Sequence, residues 1–225
     1  MSHDNGIKQI RPESTFANFK VYQPEQQAVL DTMETLAQQI VDNSKLIVGQ
    51  EYPFPFGQII FLWSQPGHGK THLLEAFAAH ILAHAPELER SLYLARDNFT
   101  LRHIAMTDLY EKCPIVMIDD LFSEFQSVDK LHPATDLRCL MDYLTAVYDR
   151  RTLVIATSNF PMLSNHGIIE CISRVDKIGR TLSRCEELLS TAGEIYLPGI
   201  DYRKEIAKER QQRRSTIRLP FSNES

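Results

Sequence analysis

Ser64-Gln65-Pro66-Gly67-His68-Gly69-Lys70-Thr71 follows directly on the apolar run Gln58-Ile59-Ile60-Phe61-Leu62-Trp63 and opens into His72-Leu73-Leu74-Glu75-Ala76-Phe77. An apolar strand, a turn with two glycines and a helix, in that order, let successive backbone N–H groups point at an anion. The helix N-terminus adds positive potential. The phosphate-loop pattern G-x-x-x-x-G-K-[ST] is met at Gly69, Lys70 and Thr71, with Ser64 where the first glycine belongs. Read this way, the stretch Gly67, His68, Gly69, Lys70, Thr71 and His72 surrounds the phosphates of ATP. Lys70 reaches the β- and γ-phosphates and Thr71 holds Mg²⁺. The alternative is an ordinary strand–helix turn carrying an exposed lysine.

Two further stretches make that alternative weaker. Ile115-Val116-Met117-Ile118-Asp119-Asp120 is an apolar strand ending in two carboxylates, as a Walker B segment does. Asp119 is expected on the Mg²⁺ water shell and Asp120 beside the attacking water. Leu153-Val154-Ile155-Ala156-Thr157-Ser158-Asn159 is a second apolar strand with a polar end. In a parallel sheet it lies next to the Asp119 strand, which brings Asn159 or Thr157 to the γ-phosphate.

Outward from these motifs, β-rich runs at 58–63, 91–95, 115–119, 152–157 and 194–197 alternate with helical patterns near 70–84, 99–111, 134–149 and 174–190. Most of the strands are apolar throughout, as strands covered by helices on both faces are. The fold class expected is α/β, a parallel five-stranded sheet sandwiched by helices. Ahead of it, Pro24 opens a helical segment marked by Val29, Met33, Leu36, Ala37, Ile40 and Val41, which ends in a loop at Gly49, Pro53 and Pro55. Residues 1–15 read as a flexible N-terminus, 16–204 as the ATPase domain and 205–225 as a basic C-terminal tail.

Composition narrows the function classes. The chain has 225 residues, 43% hydrophobic and 24% charged, close to the globular average. Its 24 Lys+Arg against 29 Asp+Glu give a net charge of −5, so no global positive field draws nucleic acid or anionic membrane. The apolar runs are far shorter than the roughly 20 residues of a membrane span, and no secretory signal is read at the N-terminus. Cys113, Cys139, Cys171 and Cys185 form no C-x-x-C pair, so reduced structural thiols in a cytoplasmic protein are expected. His68 is expected to face solvent, with His72 and His80 on the following helix.

Thr15-Phe16-Ala17-Asn18-Phe19, Gly69-Lys70-Thr71-His72-Leu73-Leu74, Ile118-Asp119-Asp120, Thr157-Ser158-Asn159 and the closing Asp201-Tyr202-Arg203 together resemble the DnaC-type helicase loaders, AAA+ ATPases close to the DnaA initiator. The resemblance covers about residues 14–204. It implies the P-loop AAA+ core without a C-terminal lid domain, self-association in the ATP state, and an arginine finger reaching a neighbour's nucleotide. Arg180-Thr181-Leu182-Ser183-Arg184-Cys185 is similar to the finger segment, which makes Arg184 the first candidate, Arg180 the second and Arg174 the third. Such a finger is worth roughly 10³–10⁵ in hydrolysis rate.

The resemblance implies an ATPase of DNA replication that loads or remodels a replicative helicase or similar replication protein. Single-stranded DNA is a further partner that the resemblance implies. The family has two helices between the second strand and the Asp119 strand, whereas the stretch from Ala95 to Ile115 has room for one. A transposition helper of the IstB kind shares the same motifs, and a nucleotide-switched adaptor with little hydrolysis is the reading from a different class. Residues 203–218 carry Arg203, Lys204, Lys208, Arg210, Arg213, Arg214 and Arg218 against Glu205 and Glu209, a local site for phosphate-backbone contact or else a solvated tail.

Overall fold

The computed structural model describes residues 7, 10–51, 53–95, 113–121, 142, 144–162, 179–189 and 193–208. The expected helix at 99–111, the candidate Arg174 and the tail from 209 onward lie outside the described residues.

Five strands form one sheet: β1 (Gln58–Trp63), β2 (Leu92–Ala95), β3 (Ile115–Leu121), β4 (Leu153–Ser158) and β5 (Glu194–Tyr196), in the order β2-β3-β4-β1-β5. Every pairing is parallel. The apolar runs are explained by two-sided burial, because side chains alternate between faces along a strand. Ile60 and Leu62 of β1 join Met117 and Ile155 in one core, while Ile59 and Phe61 join Val116, Val154 and Ala156 in another.

The first core is closed by helices α1 (Pro24–Asp42), α2 (Ser44–Gly49) and α3 (Lys70–His84). Met33 and Ala37 of α1 and Leu73, Phe77 and Ala78 of α3 are fully buried there. The second core is covered by the helical run 144–149, through Leu144 and Val147, and by α4 (Arg180–Leu189), through Leu188 and Leu189.

The segment from Pro24 to Gly49 is two helices. Asn43 leaves helical geometry, and its side-chain Nδ2 donates to Gln39 O at 2.7 Å, capping α1 before α2 begins. This is the short-range competition by which asparagine ends helices. Cys113 is buried, with Sγ 3.7 Å from Arg90 O. No helix among the described residues is long and apolar enough to cross a membrane.

The register sets the position of the site. β1 and β4 run level to Trp63↔Ser158, and β3 lies on the other side of β4, so the carboxyl ends of β1, β4 and β3 come out side by side. Beyond that edge ligands bind in open parallel sheets.

Candidate functional site

The loop leaving β1 is shaped by its glycines. Gly67 has φ +86 and Gly69 φ +95, the left-handed region that residues with a Cβ adopt at a cost. A Cβ on Gly69 would lie 2.8 Å from Phe19 Cε2, and one on Gly67 would run into the Asp201 carboxylate. Gly69 is the N-cap of α3, so the turn hands its backbone directly to the start of that helix.

Lys70, the first residue of α3, folds back into the loop. Its Nζ donates to Ser64 O (2.9 Å), Ser64 Oγ (3.2 Å), Gln65 O (3.2 Å) and Asn159 Oδ1 (2.9 Å). Burial pushes the ammonium down to about 8 from 10.5, against the pull of Asp120 and Asp119 and with a further push from Arg203.

The two carboxylates of β3 are aimed in different directions by a break in the ladder. The β3–β4 register shifts between Ile118 and Leu121, and Asp120 sits at φ 56. Such a bulge re-aims side chains that strand alternation would fix. Asp119 Oδ1 accepts from Thr71 Oγ1 (3.1 Å) and from Thr157 Oγ1 (2.8 Å). Asp120 N donates to the same Thr157 hydroxyl at 2.8 Å, and Asp120 Oδ1 accepts from Asn159 Nδ2 at 2.7 Å. Asn159 therefore joins Lys70 to Asp120, and Thr157 ties both carboxylate residues to β4.

These groups line a cavity of about 490 Å³, with Gly67, Gly69, Lys70, Thr71, His72, Asp119, Asp120 and Asn159 on its walls. Among the described residues, no cluster of three or more His, Cys, Asp or Glu could hold a metal ion. Thr71 and Asp119 are a hard-oxygen pair suited to Mg²⁺, which takes few protein ligands and shares the rest with phosphate and water. The glycine cradle, the cation and this pair fit a magnesium-bound polyphosphate.

His68 departs from expectation. It is 9% exposed, and its Nδ1 lies 3.4 Å from Leu197 O rather than in solvent. The cause is the docking of the loop on the chain after β5, where Tyr202 N donates to Gly67 O at 2.9 Å. His68 can therefore meet a phosphate through its backbone. Arg180 and Arg184 lie on α4, but their side chains are outside the described ones.

The remaining wall comes from residues that motif reading did not name as ligands. Arg11, Phe19, Tyr22, Tyr202 and Arg203 line the cavity. Phe19 packs on His72 and Tyr202, with ring centroids 5.7 and 5.9 Å apart, and the Tyr202 hydroxyl donates to Lys20 O. Burial pushes the Tyr202 phenol up to about 12, so it stays a neutral donor. The available signal was the pair of segments 15–19 and 201–203, which the sequence marks as family features.

The N-terminal segment is anchored to α3. Arg11 Nε donates to Glu75 Oε2 at 2.8 Å, Ser14 Oγ donates to the same oxygen, and His72 Nε2 lies 2.8 Å from Thr15 O. Glu75 is 1% exposed, so these contacts offset part of the cost of burying its polar group. Arg11→Ala is expected to lower stability by about 1–2 kcal/mol, the lower part of the range for weakening a buried charged hydrogen bond because Ser14 remains. Urea unfolding monitored by circular dichroism checks this.

The pattern of the bacterial DnaA ATPase domain matches residues 15–132, just over half of the chain. The chromosomal replication initiator protein DnaA of Wolbachia sp. subsp. Brugia malayi is 26% identical over 121 residues, covering 50% of this chain and 24% of that protein. DnaA of Streptococcus agalactiae serotype Ia is 38% identical over 73 residues, covering 28% of this chain and 16% of that protein. The chain thus spans a quarter or less of the length of these curated relatives.

Among solved structures, domain III of the Thermotoga maritima replication initiation protein DnaA aligns with TM-score 0.51 and 20% identity, covering 94% of this chain and 78% of that one. The DnaC helicase loader aligns with TM-score 0.51 and 17% identity, covering 83% and 96%. At these identities the likeness is one of fold, and the fold is the AAA+ α/β core. With the match running from Thr15 through the phosphate loop and the Asp119-Asp120 strand, the chain belongs to the bacterial DnaA ATPase domain family.

Proposed function

We propose that this chain binds Mg-ATP in the cavity above β1, β3 and β4 and hydrolyses it as part of an assembly that acts in DNA replication. Loading or remodelling of a replicative helicase is the task that the motif resemblance to the DnaC-type loaders favours. One observation carries the reading: Lys70, Asn159 and Asp120 form a continuous hydrogen-bonded chain beside the Thr71–Asp119 pair.

The mechanism follows from these groups. Backbone N–H groups from Gly67 to Thr71 bind phosphate oxygens, and Lys70 swings from its loop acceptors onto the β/γ-phosphates. Thr71 and Asp119 would hold Mg²⁺, which would supply charge neutralisation at the phosphates. Asp120, oriented by Asn159, accepts the proton of the attacking water, and Asn159 holds that water in line. Arg203 lines the cavity from the same subunit. Arg184, with Arg180 as second choice, is the residue offered to a neighbour's nucleotide. Phe19 and Tyr202 present aromatic surface for a base.

A finger supplied in trans makes hydrolysis depend on assembly. Turnover per subunit is expected to rise steeply with protein concentration, and Arg184→Ala is expected to flatten that rise by roughly 10³-fold or more at the assembled plateau. Phosphate release measured across a dilution series checks it. Turnover per subunit that is constant over that series, and unchanged in Arg184→Ala, argues for a self-contained site.

A further inference from the structure

We propose that Ser64, standing where the phosphate-loop pattern has its first glycine, is a positioning residue: its hydroxyl holds the Lys70 ammonium parked inside the loop, and an arriving triphosphate draws it out. The release half of this proposal rests on the nucleotide reading above. The parking half rests on geometry alone.

Ser64 is 0% exposed, and its N–H donates to Ser158 O at 3.2 Å, extending the β1–β4 pairing by one residue. That bond fixes the backbone from which the side chain projects. Ser64 Oγ donates to Gln65 O at 3.1 Å. With its proton committed there, the hydroxyl turns its lone pairs to Lys70 Nζ, 3.2 Å away. A glycine offers the ammonium a carbonyl and no more.

Lys70 Nζ then has four acceptors for three N–H donors: two from Ser64, one from Gln65 and one from Asn159. Removing the hydroxyl leaves three, so the loop keeps its shape while the parked position weakens. Parking competes with the phosphate for one cation. A weaker parking site therefore means tighter nucleotide binding, together with a Lys70 side chain that is held less firmly.

The charged groups facing Lys70 are Asp119 and Asp120 of β3 and Arg203 from the run after β5, with Arg11, Lys20 and His72 on the same cavity wall. None of them changes in a Ser64 variant. A change between variants in how firmly the Lys70 side chain is held then reports the hydroxyl.

The test uses the full chain with lysines labelled at Cε, whose side-chain order is read by NMR relaxation without nucleotide, and calorimetry with a non-hydrolysable ATP analogue, both near neutral pH. In Ser64→Ala the Lys70 Cε order parameter is expected to fall toward that of the exposed lysines, and the analogue to bind about three- to ten-fold tighter, from the net worth of one hydrogen bond. Ser64→Gly is expected to move both readings the same way.

A Lys70 order parameter unchanged in both variants overturns the parking contact, whether or not nucleotide binds. Weaker binding in Ser64→Ala overturns the release, because the hydroxyl is then itself a phosphate ligand. If the wild-type chain takes up no analogue while the Lys70 order parameter falls in the variants as expected, parking stands and the release fails along with the nucleotide reading.

Discussion

Lys70→Ala is expected to lose at least about 100-fold in affinity for an ATP analogue, and about 10²–10³ in any hydrolysis that remains, while keeping its fold. The fold survives because alanine is the best helix former, and the turn into α3 is held by Gly69 O accepting from Leu73 N at 3.0 Å. What is lost is the cation placed within the loop itself, which at 7% exposure is already largely stripped of water. A cation that has shed its hydration meets phosphate charge in low dielectric, where the attraction is strongest.

Lys70→Arg sharpens this test. The site is built for a compact ammonium, with acceptors from Ser64, Gln65 and Asn159 all within 3.2 Å of one nitrogen. A planar guanidinium restores the charge but not that geometry, so it is expected to recover little. Calorimetry with the analogue and a phosphate-release assay read both variants. Wild-type affinity in Lys70→Ala sinks the idea that this loop binds phosphate.

The parts of the site legible in the sequence were those encoded over short range. β1 and α3 occupy the residues expected of them, Gln58–Trp63 and Lys70–His84, because an unbroken apolar run, two glycines and a helical pattern are each local signals. The adjacency of β3 and β4, and so the meeting of Asp119 with Thr157, followed from parallel topology. The left-handed backbone of Asp120 was not legible: two carboxylates closing a strand do not say which one turns over.

Long-range contacts account for most of what was missed. The Tyr202 hydroxyl meets Lys20 O across 182 positions of chain, and no periodicity encodes that. The same distance problem hid the turn of His68 toward Leu197, since a polar residue inside a glycine loop reads as solvent-facing until a second segment packs on it. The break at Asn43 is different in kind. Its capping bond to Gln39 is local, but the apolar spacing of Leu36, Ile40 and Ile47 runs across it and masks the boundary.

Asp120→Asn separates binding from chemistry. The backbone at this position has φ 56, a region that asparagine enters more readily than most residues, so the substitution keeps the turn. The bond from residue 120 N to Thr157 Oγ1 belongs to the backbone and is retained, and an asparagine Oδ1 can still accept from Asn159 Nδ2. Thr71, Asp119 and Lys70 are untouched, and the loss of one negative charge near Lys70 does not weaken attraction for a polyphosphate.

What disappears is the carboxylate that takes the proton of the attacking water. General base catalysis contributes typically 10²–10⁴-fold, and hydrolysis is expected to fall by that much while analogue affinity stays within a few-fold of wild type. Asp120→Val serves as the contrast. A β-branched side chain is strained at positive φ, so this variant is expected to lose thermal stability and binding together. Equal losses of binding and turnover in Asp120→Asn, without unfolding, would assign Asp120 to holding the nucleotide and leave the attacking water to another group.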